Sequence, residues 1–193
     1  MPPATLSLIV ANVAVYLLEL SGGAPVFGWF ALQPGPDFQP WQLVTYGFLH
    51  DPSNFTHILF NMFALYMFGS DIERLFGSRF YVLYYFASVV VAGLTHLVVT
   101  NLMGAPPAPM VGASGGVYGL LLAFGWYFPQ RRVVLLFPPI PMSARTFVIV
   151  FGVLELVFGV TGTQAGVAHF AHLGGMLGGW LMIEFRRGRF TRR

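Results

Sequence analysis

The sequence predicts an all-α membrane protein, a bundle of six transmembrane helices with the N-terminus and C-terminus both cytoplasmic. Three observations carry that prediction. Hydrophobic residues make up 56% of the chain and charged residues only 9%, with a mean hydropathy of +0.70, so there is too little polar surface to cover a soluble domain of 193 residues. Six windows with few charges follow one another, most of them near the ~20 residues that a bilayer core requires. All ten basic residues fall on one side of that arrangement, as the positive-inside rule asks of cytoplasmic loops.

The first window, Ala4–Leu20, lacks a basic leader and an Ala-x-Ala site, and is expected to be a retained span rather than a cleaved signal peptide. An outer loop follows, about Ser21–Phe55, rich in Pro, Phe and Trp. Its apolar residues (Val26, Phe27, Trp29, Phe30, Trp41, Phe48) argue against disorder and for a place at the membrane interface, where Trp is favoured. Spans two and three are Thr56–Ser70 and Phe80–Leu102, and Arg74 and Arg79 lie between them. Span four, Ser114–Phe128, has fifteen residues and is too short to cross fully. The loop Met103–Ala113 must therefore dip inward to meet it, lining a protein cavity. Arg131, Arg132 and Arg145 lie before span five, Thr146–Val160. Span six, Val167–Phe185, leads into a basic cytoplasmic tail at 186–193 that carries Arg186, Arg187, Arg189, Arg192 and Arg193. No linker, low-complexity run or repeat divides the chain, so residues 1–193 read as one domain.

Other classes are set aside on composition. Cys is absent, which removes disulfides, thiolate metal sites and a Cys nucleophile. The net charge of +3 is an orientation signal in short loops and a tail, so no nucleic-acid partner is expected.

Polar residues recur at one depth. Counting along each helix at about 1.5 Å per residue, His57 lies roughly 21 Å from Asp71, Ser114 roughly 22 Å from Pro129, and His172 roughly 21 Å from Arg186. Polar groups inside a bilayer are costly, so a shared plane points to a buried reaction centre. Ser114 opens its helix, where unpaired N–H groups and the helix dipole favour negative charge. Taken alone it is more readily a helix N-cap. Gly112 and Gly115 on either side leave the backbone open to close approach. A histidine at equal depth supplies the base that a serine nucleophile requires.

His57 and Asn61 are four apart and share a face of span two. Both can donate to an oxyanion, or they can bond between helices. Tyr118, one turn below Ser114, can hold His172 by stacking or fill core space. Gly174, Gly175, Gly178 and Gly179, with Gly115 and Gly119, would let spans four and six pack closely. His169 is expected nearer the outer surface and ranks below His172 as the base. His96 counts to about 26 Å from Arg79, also towards the outer side. Glu155 counts to only about 15 Å above Arg145. No carboxylate matches the depth of His172, so a Ser-His dyad is expected rather than a triad. No metal site is expected, because no carboxylate or thiolate joins His169 and His172.

The sequence resembles the rhomboid family of intramembrane serine proteases. The resemblance rests on His57-x-x-x-Asn61, Gly69-x-x-x-Glu73-x-x-x-Gly77, Gly112-Ala113-Ser114-Gly115 with Tyr118, and Ala171-His172-Leu173-Gly174-Gly175, and it covers residues 41 to 185. It implies that Ser114 is the nucleophile and His172 its general base. The Ser114 backbone N–H, His57 and Asn61 would form the oxyanion hole, with Tyr118 supporting His172. It implies cleavage of single-span membrane proteins near the outer end of the substrate helix, with no cofactor, in a prokaryotic inner (plasma) membrane. One departure stands out: Trp41-Gln42 replaces the family's usual Trp-Arg. Two alternatives are a catalytically inactive rhomboid-like binding or quality-control protein, and a small transporter with Glu155, His96 and His172 as a relay. The first would be expected to lack the serine or the histidine. The second would be expected to show inverted repeats or paired broken helices.

Overall fold

A computed structural model describes residues 1–22, 24–104, 108–135, 138–163 and 168–190. Arg192 and Arg193 of the expected tail, and the loop residues 105–107 and 164–166, lie outside the described residues. Helices dominate. The first, α1 (Pro3–Leu20), opens on a proline, tolerated there because the first helical N–H has no intrahelical partner. Its buried residues Thr5, Leu8, Asn12, Tyr16 and Glu19 recur every three or four positions and form one stripe. That stripe is the polar one, while Leu6, Val10 and Leu17 face outward and are exposed. Hydrocarbon accepts apolar side chains and not amides or carboxyls, so the pattern suits a helix at a lipid boundary.

The outer loop is an ordered unit containing α2 (Ala24–Phe30), α3 (Gln42–Thr45) and a 3₁₀ turn at Tyr46–Phe48. Gln42 is its hub. Only 1% exposed, it accepts the backbone N–H groups of Gln33 and Gln39, each at 3.1 Å, and donates to the Trp29 carbonyl at 3.3 Å. The side chain at the Trp-Arg departure thus satisfies three backbone groups that a loop without regular structure would leave unpaired.

Next come α4 (Phe55–Ala64), a π-helical turn at Leu65–Gly69 and α5 (Ser70–Phe76), which together form one rod longer than the expected Thr56–Ser70 window. The Glu73 carboxylate accepts the backbone N–H groups of Ala4 and Thr5 and the hydroxyls of Thr5 and Ser78. It thereby satisfies donors that the start of α1 leaves orphaned. Gly77, at φ +77°, makes the turn into α6 (Ser78–Met103) with a conformation other residues resist. Two residues of the Gly69–Gly77 motif so have physical roles at that end of the rod.

The fourteen-residue α7 (Ser114–Tyr127) is buried on nearly every side, which fits its near-uniform apolar sequence. A two-stranded antiparallel ribbon follows, β1 (Arg132–Val134) with β2 (Pro141–Ser143), pairing Val133 with Met142. Sequence patterning missed it because strands of three residues, one starting on proline, carry no readable alternation. Then come α8 (Ala144–Thr161) and α9 (His169–Phe190). The most extensive packing joins α9 to α6 and to α7. Among the described residues, α1, α6 and α8 are long and apolar enough to cross a membrane. At about 1.5 Å per residue α7 is roughly 21 Å long, short of a ~30 Å core.

Candidate active site

Three backbone contacts place the start of α7. Leu32 and Met110 exchange N–H···O bonds of 3.0 Å, and the Gly112 N–H donates to the Tyr46 carbonyl at 3.0 Å. The outer loop therefore holds the chain that enters Ser114. At φ +125°, Gly112 takes a conformation that disfavours a side chain, and a Cβ there would lie 2.7 Å from His57 Nε2 and 3.7 Å from Ser114 Oγ. One small point thus neighbours both groups.

Ser114 is the first residue of α7, but its hydroxyl does not cap the helix; Ala113 holds the cap position without a side-chain bond. Instead Ser114 Oγ lies 2.9 Å from His172 Nε2. His172 belongs to the first turn of α9, which reaches α7 because Gly175 packs directly on the Gly115 carbonyl, where a Cβ would collide. Tyr118 stacks on the His172 ring with centroids 4.3 Å apart and planes 6° apart. An imidazole nitrogen that accepts a serine proton while its ring face is packed is a general-base geometry.

Opposite, His57 and Asn61 face the same cavity from α4. One Asn61 amide N–H donates to the His57 carbonyl at 2.8 Å, which leaves its second N–H for another acceptor. The cavity holds about 920 Å³ and is lined by His57, Asn61, Ser114, Tyr118 and His172 together with apolar residues such as Phe68, Met110 and Phe147. Mostly apolar walls with a few convergent polar groups are the make-up of a binding site. His96 also lines it, and its Nε2 pairs with the Ala108 carbonyl at 3.3 Å.

Depth counting is overturned at Glu155. Its Oε2 lies 3.0 Å from His172 Nδ1 and 2.6 Å from His169 Nδ1, and Oε1 accepts the Tyr118 hydroxyl. The expectation that no carboxylate reaches His172, or joins His169 and His172, is thereby corrected. Counting treats helices as parallel rods and ignores the reach of a glutamate and an imidazole towards each other. The signal available in the sequence was that an intramembrane carboxyl needs a partner. His169 Nε2 faces the Thr163 carbonyl at 3.1 Å, whereas His172 Nε2 faces Ser114.

Glu155, His169 and His172 bring their ligand atoms within 4.8 Å of one another, a set that could hold a metal ion. A tetrahedral zinc would spread such atoms to roughly 3.3 Å apart. The 2.6 and 3.0 Å separations from Glu155 Oε2 are instead hydrogen-bonding distances.

A family model described as Rhomboid domain matches residues 37–188. The chain is 28% identical over 171 residues to the rhomboid protease GluP of Bacillus subtilis (strain 168), a match covering 86% of this chain and 31% of that protein. It is 29% identical over 186 residues to the rhomboid protease GlpG of Yersinia pestis (strain Pestoides F), covering 93% of this chain and 61% of that one. The match to GlpG of Yersinia pseudotuberculosis serotype O:3 (strain YPIII) has the same identity and coverage. The chain therefore spans under two thirds of the length of these relatives.

Proposed function

The chain belongs to the rhomboid family, an integral membrane family, and on that premise we propose that it is an intramembrane serine endopeptidase that cleaves single-span membrane proteins within the transmembrane segment. The observation that carries the reading is the 2.9 Å contact between Ser114 Oγ and His172 Nε2 beside a largely apolar cavity of about 920 Å³. Ser114 attacks the scissile carbonyl as its proton passes to His172 Nε2. The tetrahedral oxyanion takes hydrogen bonds from the Ser114 backbone N–H, His57 and Asn61. His172 returns the proton to the leaving amine as the C–N bond breaks, and a water that gives its proton to His172 attacks the acyl-enzyme ester, releasing the acid product and restoring Ser114.

In this reading six spans cross the membrane, the rod 55–76 being the second, and both termini are cytoplasmic, in a prokaryotic inner membrane. The arginines support that orientation. A reporter fused after Arg193 and another inserted within Gly104–Pro109 should then report opposite sides; both on one side would refute the count.

The activity is tested by incubating purified protein in liposomes with a panel of single-span substrates beside a Ser114→Ala control. Cleavage by wild type and none by the variant is expected. Cleavage that persists in Ser114→Ala would end the protease assignment.

A further inference from the structure

We propose that Glu155 is a positioning residue for His172, holding its imidazole with Nε2 towards Ser114 and stabilising the imidazolium that forms when Ser114 gives up its proton. The inference rests on the protease reading above and extends its pair of residues to three.

Nδ1 of His172 is buried and has no aligned hydrogen-bond partner among the described residues. When Nε2 accepts from Ser114, the ring proton resides on Nδ1 and needs an acceptor. Glu155 Oε2, 3.0 Å away but off the N–H direction, is the acceptor at hand. Such contacts are often poorly aligned before substrate binds and tighten as charge develops. During the reaction the proton moves from Ser114 Oγ to His172 Nε2 while Nδ1–H stays on the ring. Glu155 remains ionised throughout, so its charge faces the new cation without accepting its proton.

The carboxylate is itself fixed. Tyr118 donates to Oε1, and His169 Nδ1 lies 2.6 Å from Oε2. Tyr118 also packs on the His172 face, so one tyrosine orients both the ring and its counter-ion. Glu155 is only 7% exposed. Placing a carboxylate so deep is costly unless it is paired, and here three side chains on α7 and α9 surround it.

The alternative is that Glu155 merely ties α8 to α7 and α9. Glu155→Gln in liposomes distinguishes the two, read by cleavage kinetics and by the rate at which a fluorophosphonate labels Ser114. Carboxyl-to-amide replacement in a serine-protease triad costs about 10⁴ in kcat, and for an off-axis contact about 10² is expected, with KM within about twofold. Labelling should slow at least tenfold. In a His172→Ala background the same substitution should change the residual rate less than twofold, because members of a unit do not add. A Glu155→Gln enzyme within threefold of wild type in kcat and labelling overturns the inference. So does an equal loss with and without His172, accompanied by a lowered thermal midpoint, which identifies a packing role. An inert wild type, neither cleaving nor labelled, overturns the protease reading and this one with it; a reactive wild type with an equally reactive variant overturns this one alone. Should Glu155→Gln fail to fold, ¹⁵N spectra of His-labelled wild type decide, with a His172 ring protonated on Nδ1 expected and one protonated only on Nε2 contrary.

Discussion

Tyr118 and His172 lie face to face, ring planes 6° apart and centroids 4.3 Å apart, and the Tyr118 hydroxyl donates to the carboxylate that faces the far edge of the same histidine. The stack fixes the plane of the imidazole, and the hydroxyl fixes the group beside Nδ1. Removing either loosens the approach of Nε2 to Ser114.

The two contributions separate by substitution. Tyr118→Phe keeps the stack and loses the hydroxyl, and is expected to lower kcat by about tenfold or less, since one hydrogen bond is worth about 1 kcal/mol. Tyr118→Ala loses both and should fall towards the ~10² that a misplacement of about 1 Å can cost. Steady-state kcat on any cleaved reporter measures this. An alanine variant with wild-type kcat would leave Tyr118 as simple core packing.

Asn61 tests the oxyanion hole. It keeps one amide N–H on the His57 carbonyl and has a second to offer the cavity. Loss of one such donor costs ~10²–10³ in kcat, about 2.7–4 kcal/mol. Asn61→Ala should show that loss while Ser114 stays reactive towards a small fluorophosphonate. If His57 serves the same oxygen, the double variant should lose less than the product of the single losses. Unchanged kcat in Asn61→Ala would assign the residue to helix contacts alone.

His50 predicts an acid limit to stability. Fully buried in the outer loop, with neither ring nitrogen hydrogen-bonded among the described residues, it faces His57 at 5.0 Å between ring centroids and hands its backbone N–H to Glu19 on α1. Burial, reinforced by His57, pulls its pKa down to about 4. Below about pH 6.5 the unfolded chain therefore binds a proton that the folded chain refuses. Stability is whole above that pH and falls as pH drops towards 4, by up to about 1.4 kcal/mol per unit. The thermal midpoint of wild type in micelles should fall between pH 7.5 and 5, and that of His50→Leu should fall less. Equal falls would exclude His50 as the source.

Much of this protein is determined by local chemistry that any reader of the chain can apply. Apolar runs set the helices because a bilayer forces the backbone to bond within itself. Ser114 at a helix start, the four-residue spacing of His57 and Asn61, and the glycines that bring α9 onto α7 follow from helix periodicity and side-chain size. The pairing of Ser114 with His172 was legible because the two count to like depths from the cytoplasmic ends of their helices, roughly 22 and 21 Å.

Only the tertiary structure decided the rest. The Glu155 carboxylate meets His172 through side-chain reach, which an axial count omits. Gln42 bonds three backbone groups whose convergence depends on how the outer loop folds. The ribbon at Val133 and Met142 pairs two three-residue segments with no pattern of their own to announce it. In each case the deciding quantity is a distance between groups on different elements or turns, and periodicity along one helix carries no information about it.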